Sequence, residues 1–174
     1  MTDPRVEFLH RALSDVPGYQ LISEDNPLKF RIGECRYSVH ISSVHDSGAG
    51  RTNDDEERIQ VPRGVIETQR DRTGKGYTPL FIGVFPDGEV FTAWEPNYVF
   101  SQDPEKNGTI YARFSHNQLA KRGGVKIRSF RAKNLGRKSS IISAPTQALY
   151  GYVSALGRIH AVSRDADAHK MIYG

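Results

Sequence analysis

Eleven cations and no carboxylate lie between positions 107 and 164. Arg113, Lys121, Arg122, Lys126, Arg128, Arg131, Lys133, Arg137, Lys138, Arg158 and Arg164 give these 58 residues a charge of +11. The whole chain carries only +4, so the remainder sums to −7. Such asymmetry is the footprint of a polyanion-binding face on an otherwise acidic body. The bland alternative is a solvated surface whose acidic partners come from elsewhere in the fold. Phosphate binding needs cations where a duplex passes, so Arg113, His116, Lys121, Arg122, Lys126, Arg128 and Arg131 are the residues expected to hold DNA backbone or bases. Ser115-His116-Asn117-Gln118 reads as a capping box, and the helix start it implies would add backbone donors for an anion. Gly123-Gly124 either lets backbone approach the duplex closely or simply ends that helix.

A second place for an anion is the loop Gly48-Ala49-Gly50-Arg51, which resembles a backbone nest but lacks the lysine and hydroxyl pattern of a nucleotide-binding loop. It is read either as an arm that carries His45 and Arg51 into a groove or as an exposed strand connection. The acidic cluster Asp54-Asp55-Glu56-Glu57 beside it would repel DNA, so it is expected to pair with internal arginines or to face away. With Glu95, those carboxylates are also the only plausible metal site of an alternative reading, a compact metal-dependent nuclease. That reading lacks a motif, since Pro86-Asp87 sits in a turn with no Glu-x-Lys after it. The six histidines lack metal-ligand spacing, and no hydrolase nucleophile motif is present. No catalytic residue, metal or cofactor is therefore expected. Trp94 could stack on a base, but core packing is the commoner fate of a lone tryptophan.

The elements that must position these residues are read from periodicity. Asp3-Pro4 opens a helix whose Val6, Leu9, Leu13 and Val16 share a face until Pro17-Gly18 stops it. Residues 28–32 and 36–44 form a hairpin around Gly33-Glu34, with Tyr37, Val39 and Ile41 on its single buried face. A short strand over 58–61 and a helical turn near Val65 follow. Residues 78–85 and 89–94 form the clearest hairpin, because Asp87-Gly88 supplies its positive-φ turn. Residues 109–114 and 139–143 are further strands, and Pro145 begins a helix with the apolar stripe Leu149, Tyr152, Val153 and Leu156. The pattern predicts an α+β fold, a single domain with a mainly antiparallel sheet flanked by helices. Residues 1–162 are expected to form it, with 163–174 as a C-terminal extension or the start of a linker. One cysteine, no basic leader and no membrane-length apolar run point to a cytoplasmic protein without membrane contact.

Several stretches, in order, resemble the N-terminal specificity domain of McrA-like modification-dependent HNH restriction endonucleases. They are the Gly-rich loop with its acidic run and Arg58-Ile59-Gln60, the hairpin over 80–94 closing on Val90-Phe91-Thr92-Ala93-Trp94-Glu95, the strand and helix over 111–121, and the strand, proline and helix over 141–152. The likeness spans roughly residues 36–153. It implies a domain that finds modified double-stranded DNA while a separate nuclease domain of a longer parent chain cuts it. In one branch of that family a small apolar pocket recognises the sulfur of phosphorothioate DNA, and Pro145 with Ala148 matches its Pro-x-x-Ala element. Sulfur is larger and less hydrated than the oxygen it replaces, so an apolar surface favours it. Ala144 stands where an aromatic residue precedes that proline, and a methylated base remains the alternative ligand.

Overall fold

Asp3 caps the first helix. Its carboxylate accepts the Arg5 backbone N–H at 2.9 Å and Pro4 takes the first helical position, so α1 (Pro4–Leu13) starts where the sequence places it. Val6, Phe8, Leu9 and Leu13 are buried along it. The helix stops short of Val16, and Gly18, at φ +85°, turns the chain into β1 (Tyr19–Ser23). No strand was expected there, because β1 buries no side chain fully and its alternation is faint. The computed structural model describes residues 3–43, 45–46, 56–85, 88–105 and 107–174, with only the backbone at 45–46, 56–58, 109 and 112–114.

β2 (Leu28–Ile32) and β3 (Cys35–Ser43) make the expected first hairpin. β4 (His45–Asp46), β5 (Glu56–Val61) and α2 (Arg63–Gly74) follow, then β6 (Thr78–Val84) and β7 (Val90–Trp94). Gly88, at φ +73°, serves the turn of this second hairpin, while Asp87 lies outside the described residues. α3 (Pro96–Phe100), β8 (Gly108–Arg113), α4 (Phe114–Ala120), β9 (Lys126–Ala132), β10 (Arg137–Pro145), α5 (Leu149–Ser154), α6 (Leu156–Ile159) and α7 (Asp165–Tyr173) complete the chain. The strands form a seven-stranded sheet in the order β1-β2-β3-β6-β7-β10-β9 and a small sheet, β4-β5-β8. Every pairing is antiparallel except β3 with β6, so the fold is α+β with a mainly antiparallel sheet flanked by helices.

Both faces of the large sheet are covered. Phe30, Val39, Ile82, Phe91 and Ile142 pack on one face with α1, α5, α6 and α7. Phe81, Trp94 and Ile141 pack on the other with Ile59 and Val61 of β5, Ile66 of α2, Val99 of α3 and Ile110 of β8. Trp94 is therefore a core residue, fully buried, with its indole N–H donating to the Tyr111 carbonyl at 3.1 Å.

This double coverage corrects the expectation that β3 buries one face. Ser38 and His40 are buried too, beneath α2, whose Gln69 amide donates to the Ser38 carbonyl at 2.8 Å. α2 is a 12-residue helix rather than a turn, and Ile66 and Gln69 are its only buried side chains, so apolar periodicity could not reveal it. Two further boundaries move. α4 starts at Phe114, which puts Ser115 inside its first turn rather than at a cap. Pro145 ends β10 instead of opening a helix, and a 3-10 turn (Thr146–Ala148) leads into α5, where Leu149, Tyr152 and Val153 form the expected buried stripe. Within 163–174, α7 buries Ala168 and Ile172 in the core beneath the large sheet. Gly151 of α5 meets it so closely that a Cβ there would collide with the Ile172 backbone.

A buried polar chain ties these helices to the sheet. The His160 Nδ1 lies 2.7 Å from the Ser140 carbonyl, which can only accept, so Nδ1 carries the proton and Nε2 accepts from the Tyr152 hydroxyl at 2.7 Å. Burial pushes the His160 imidazole down to about 4 from 6.5, against the opposing pull of the Ser140 carbonyl. Burial does the same to His40, also to about 4. Both rings stay neutral in the folded protein while the unfolded chain takes up protons near pH 6.5, so the unfolded state binds more protons between pH 6.5 and 4. Stability is expected to fall as pH drops through that window, by up to about 1.4 kcal/mol per pH unit for each ring. Urea unfolding across the window checks this, and His160→Gln should show a shallower pH dependence than the parent.

Candidate nucleic-acid interface

β9 is the last strand of the large sheet and, among the described residues, pairs only with β10, so one side of its backbone is an edge. That edge is managed with charge. Asp165, at the start of α7, accepts the Ile127 backbone N–H at 2.9 Å and the Lys126 ammonium at 3.2 Å. Lys126, Arg128 and Phe130 project on the Trp94 face, where Phe130 packs edge-on against Tyr98 with ring centroids 4.9 Å apart. Arg131 projects on the other face, opposite Lys138 of β10. A 3-10 turn (Lys133–Leu135) joins the two strands, with Gly136 at φ +68°, and the Asn134 amide anchors this tip on the Ser101 carbonyl at 2.8 Å.

Carboxylates neutralise part of the basic run. Glu95 holds Arg137 through two parallel bonds of 2.8 and 2.7 Å and also accepts from the Ser139 hydroxyl at 3.2 Å. Asp165 holds Lys126, and Asp167 holds Arg164 at 3.0 Å. Arg122, Arg128, Arg131, Lys133, Lys138 and Arg158 make no ion pair among the described residues. Five of these, all but Arg158, lie on β9, on the hairpin tip, at the start of β10, or just after α4, which packs on β9 and β10. With a rise of about 3.3 Å per residue, β9 and its tip make a basic rim on the order of 20 Å long.

The expected DNA contacts are thus partly assembled. Lys126, Arg128 and Arg131 share β9, and the exposed Arg122 follows the helix packed beside it. Lys121 points elsewhere, its ammonium 5.2 Å from the Phe85 ring. His116 is half-buried on α4, next to Asn117, whose side-chain oxygen accepts from Thr92 at 2.7 Å and pins the helix to β7. Arg113 ends β8 in register with Glu56, and its side chain lies outside the described residues, as does all of Arg51 with the Gly-rich loop. Pro145 and Ala148 are buried, Ala148 at 2% exposure within the core, so in this structure they offer no apolar surface to solvent. Lys133 and Lys138 belong to the basic run but were not named among the expected contacts, although Asn134-Leu135-Gly136 is a turn signal that folds Lys138 back beside Arg131.

Of the carboxylates considered for a nuclease, Glu95 is committed to Arg137 and Ser139. Asp54, Asp55 and the side chains of Glu56 and Glu57 lie outside the described residues. Among the described residues no group of three or more His, Cys, Asp or Glu side chains could hold a metal ion, and no helix is long and apolar enough to cross a membrane.

No curated protein and no solved structure matches the chain. One family model does, that of Methylase-associated X1 (MTaX1), over residues 35–153, from the first residue of β3 into α5. This stretch holds α4, β9, the hairpin tip and the Glu95–Arg137 pair, and it makes up about two thirds of the 174 residues. The chain therefore belongs to the Methylase-associated X1 family.

Proposed function

We propose that this domain binds double-stranded DNA in a methylase-associated restriction-modification system, and that it reads the duplex rather than cuts it. The observation that carries the reading is the rim formed by Arg122, Arg128, Arg131, Lys133 and Lys138, none of which is offset by a carboxylate among the described residues. Counterion release from a duplex makes such a row of cations favourable, and the edge backbone beside it adds hydrogen-bonding groups. The family name supports the modification context. The sequence resemblance supports a nuclease domain, carried elsewhere, as the partner that cuts.

The finer reading is that the domain prefers modified DNA, with phosphorothioate as the first ligand to try. Pro145 and Ala148 are buried, so the surface that meets sulfur must come from apolar groups that face solvent. Leu119 of α4 is 42% exposed, three residues before Arg122, and has the right chemistry for it. A methylated base is the second reading, favoured by the association with methylases.

Matched duplexes that are unmodified, carry one phosphorothioate or carry one methylated cytosine are to be compared by fluorescence anisotropy over a salt series. The log of the affinity should fall against log salt with a slope of about −4.5 for about five phosphates neutralised. Arg131→Ala combined with Lys133→Ala should flatten that slope by about 2 and weaken binding to all three duplexes alike. Equal affinity for the three would remove the modification reading and leave DNA binding standing. The absence of salt-dependent binding would remove both.

A further inference from the structure

At the end of the large sheet, where β7 closes and β6 and β10 begin, a cleft of about 580 Å³ opens between α3 and α6. Its lining mixes polar and apolar groups, the apolar part coming from Pro96 and Phe100 of α3, Leu156 of α6 and Ala161 just beyond it. Glu95 lies in its lining at 9% exposure, with Arg137 and Lys138 at the start of β10. We propose that this cleft receives a single nucleobase swung out of the duplex held along β9, and that it favours a base with an exocyclic amine. The proposal rests on the DNA-binding reading and adds the subsite and its ligand.

Three observations carry it. The first is place. Arg137 and Lys138 pair in register with Ala132 and Arg131 of β9, one strand spacing of about 4.8 Å away, so the cleft adjoins the rim where phosphates would run. The second is composition, because apolar groups from two helices line the cleft beside charged and polar ones, which suits a base with apolar faces and a polar edge. The third is charge. Glu95 accepts three hydrogen bonds, two from Arg137 and one from Ser139, whereas a carboxylate offers about four lone-pair sites. Arg137 already balances the Glu95 charge, so the donor that fits the remaining site is a neutral N–H rather than a cation. The amines of cytosine and adenine are such donors, and a carboxylate is a known partner of the cytosine amine. Lys138, with no ion pair among the described residues, stands beside it to meet the phosphate of the displaced nucleotide.

Unpairing is cheapest at a mismatch, so a protein that everts a base binds mismatched DNA more tightly than paired DNA. The probe is a short duplex carrying one A·C mismatch, in which both bases bear an amine, compared with the same duplex fully paired. The parent protein should bind the mismatched duplex at least roughly tenfold more tightly. Ala161→Trp and Asn97→Trp, each adding bulk at an exposed position of the cleft lining, should abolish that preference while their thermal midpoints and their affinity for the paired duplex stay at parent values. Equal parent affinity for the two duplexes, or a preference that survives both tryptophans, overturns the proposal and leaves the DNA-binding reading intact. Failure of the parent to bind either duplex overturns both.

Discussion

A sheet covered on both faces leaves charge only its rims. Strands β3, β6, β7 and β10 lie between two apolar cores, and a lone cation turned into either would lose several kcal/mol of hydration with nothing to replace it. The positive charge of the segment from Asn107 to Arg164 is therefore driven outward along β9, to the tip that joins it to β10, and to the ends of the helices that lie over them. Glu95 shows what an inward exception requires. Only 9% exposed, it is held by a two-pronged guanidinium and a hydroxyl.

The same rim answers a second problem. β9 has hydrogen-bonding partners on one side only, and an open edge invites another strand. Here Asp165 occupies the Ile127 N–H, and Arg128, Arg131 and Lys133 place like charges where a second copy would have to dock. A row of like charges that repels another copy of the chain attracts a polyanion, so protection against self-pairing and the proposed affinity for a duplex would draw on the same residues.

The hairpins were legible in the sequence because their turns carry chemical signals. Gly33-Glu34 and Asp87-Gly88 each sit between two strand-forming runs, and Asp3-Pro4 and the stripe of Leu149, Tyr152 and Val153 are equally local. Three features were hidden, each for a physical reason. α2 docks through Ile66 and the buried amide of Gln69, so its apolar period is too sparse to register. β9 alternates Ile127, Ser129 and Arg131 with Lys126, Arg128 and Phe130, and an edge strand that mixes polar and apolar groups on each face has no clean period of two. The parallel pairing of β3 with β6 depends on a crossover through β4, β5 and α2, which no local signal announces. For the candidate site, the charge asymmetry singled out the segment that holds β9 and its hairpin tip, but burial, which took Pro145 and Ala148 into the interior, depends on α1 and the helices around α5 and is a property of the assembled fold.

Which cations are neutralised matters as much as where they lie. Carboxylates take Arg137 at the start of β10, Lys126 at the start of β9 and Arg164 just before α7, all junctions where the chain enters a new element. Ion pairs at such positions fix how strands and helices meet, and each removes one charge from the field around the basic segment. Among the described residues of the basic segment, the stretch between those junctions, Arg128, Arg131 and Lys133, stays unpaired with Lys138 alongside, as do Arg122 and Arg158. Three of these six lie on one strand and its turn. Under the proposed function such a strip would set the direction in which a duplex lies, whereas the same number of cations spread over a surface would only hold it nearby.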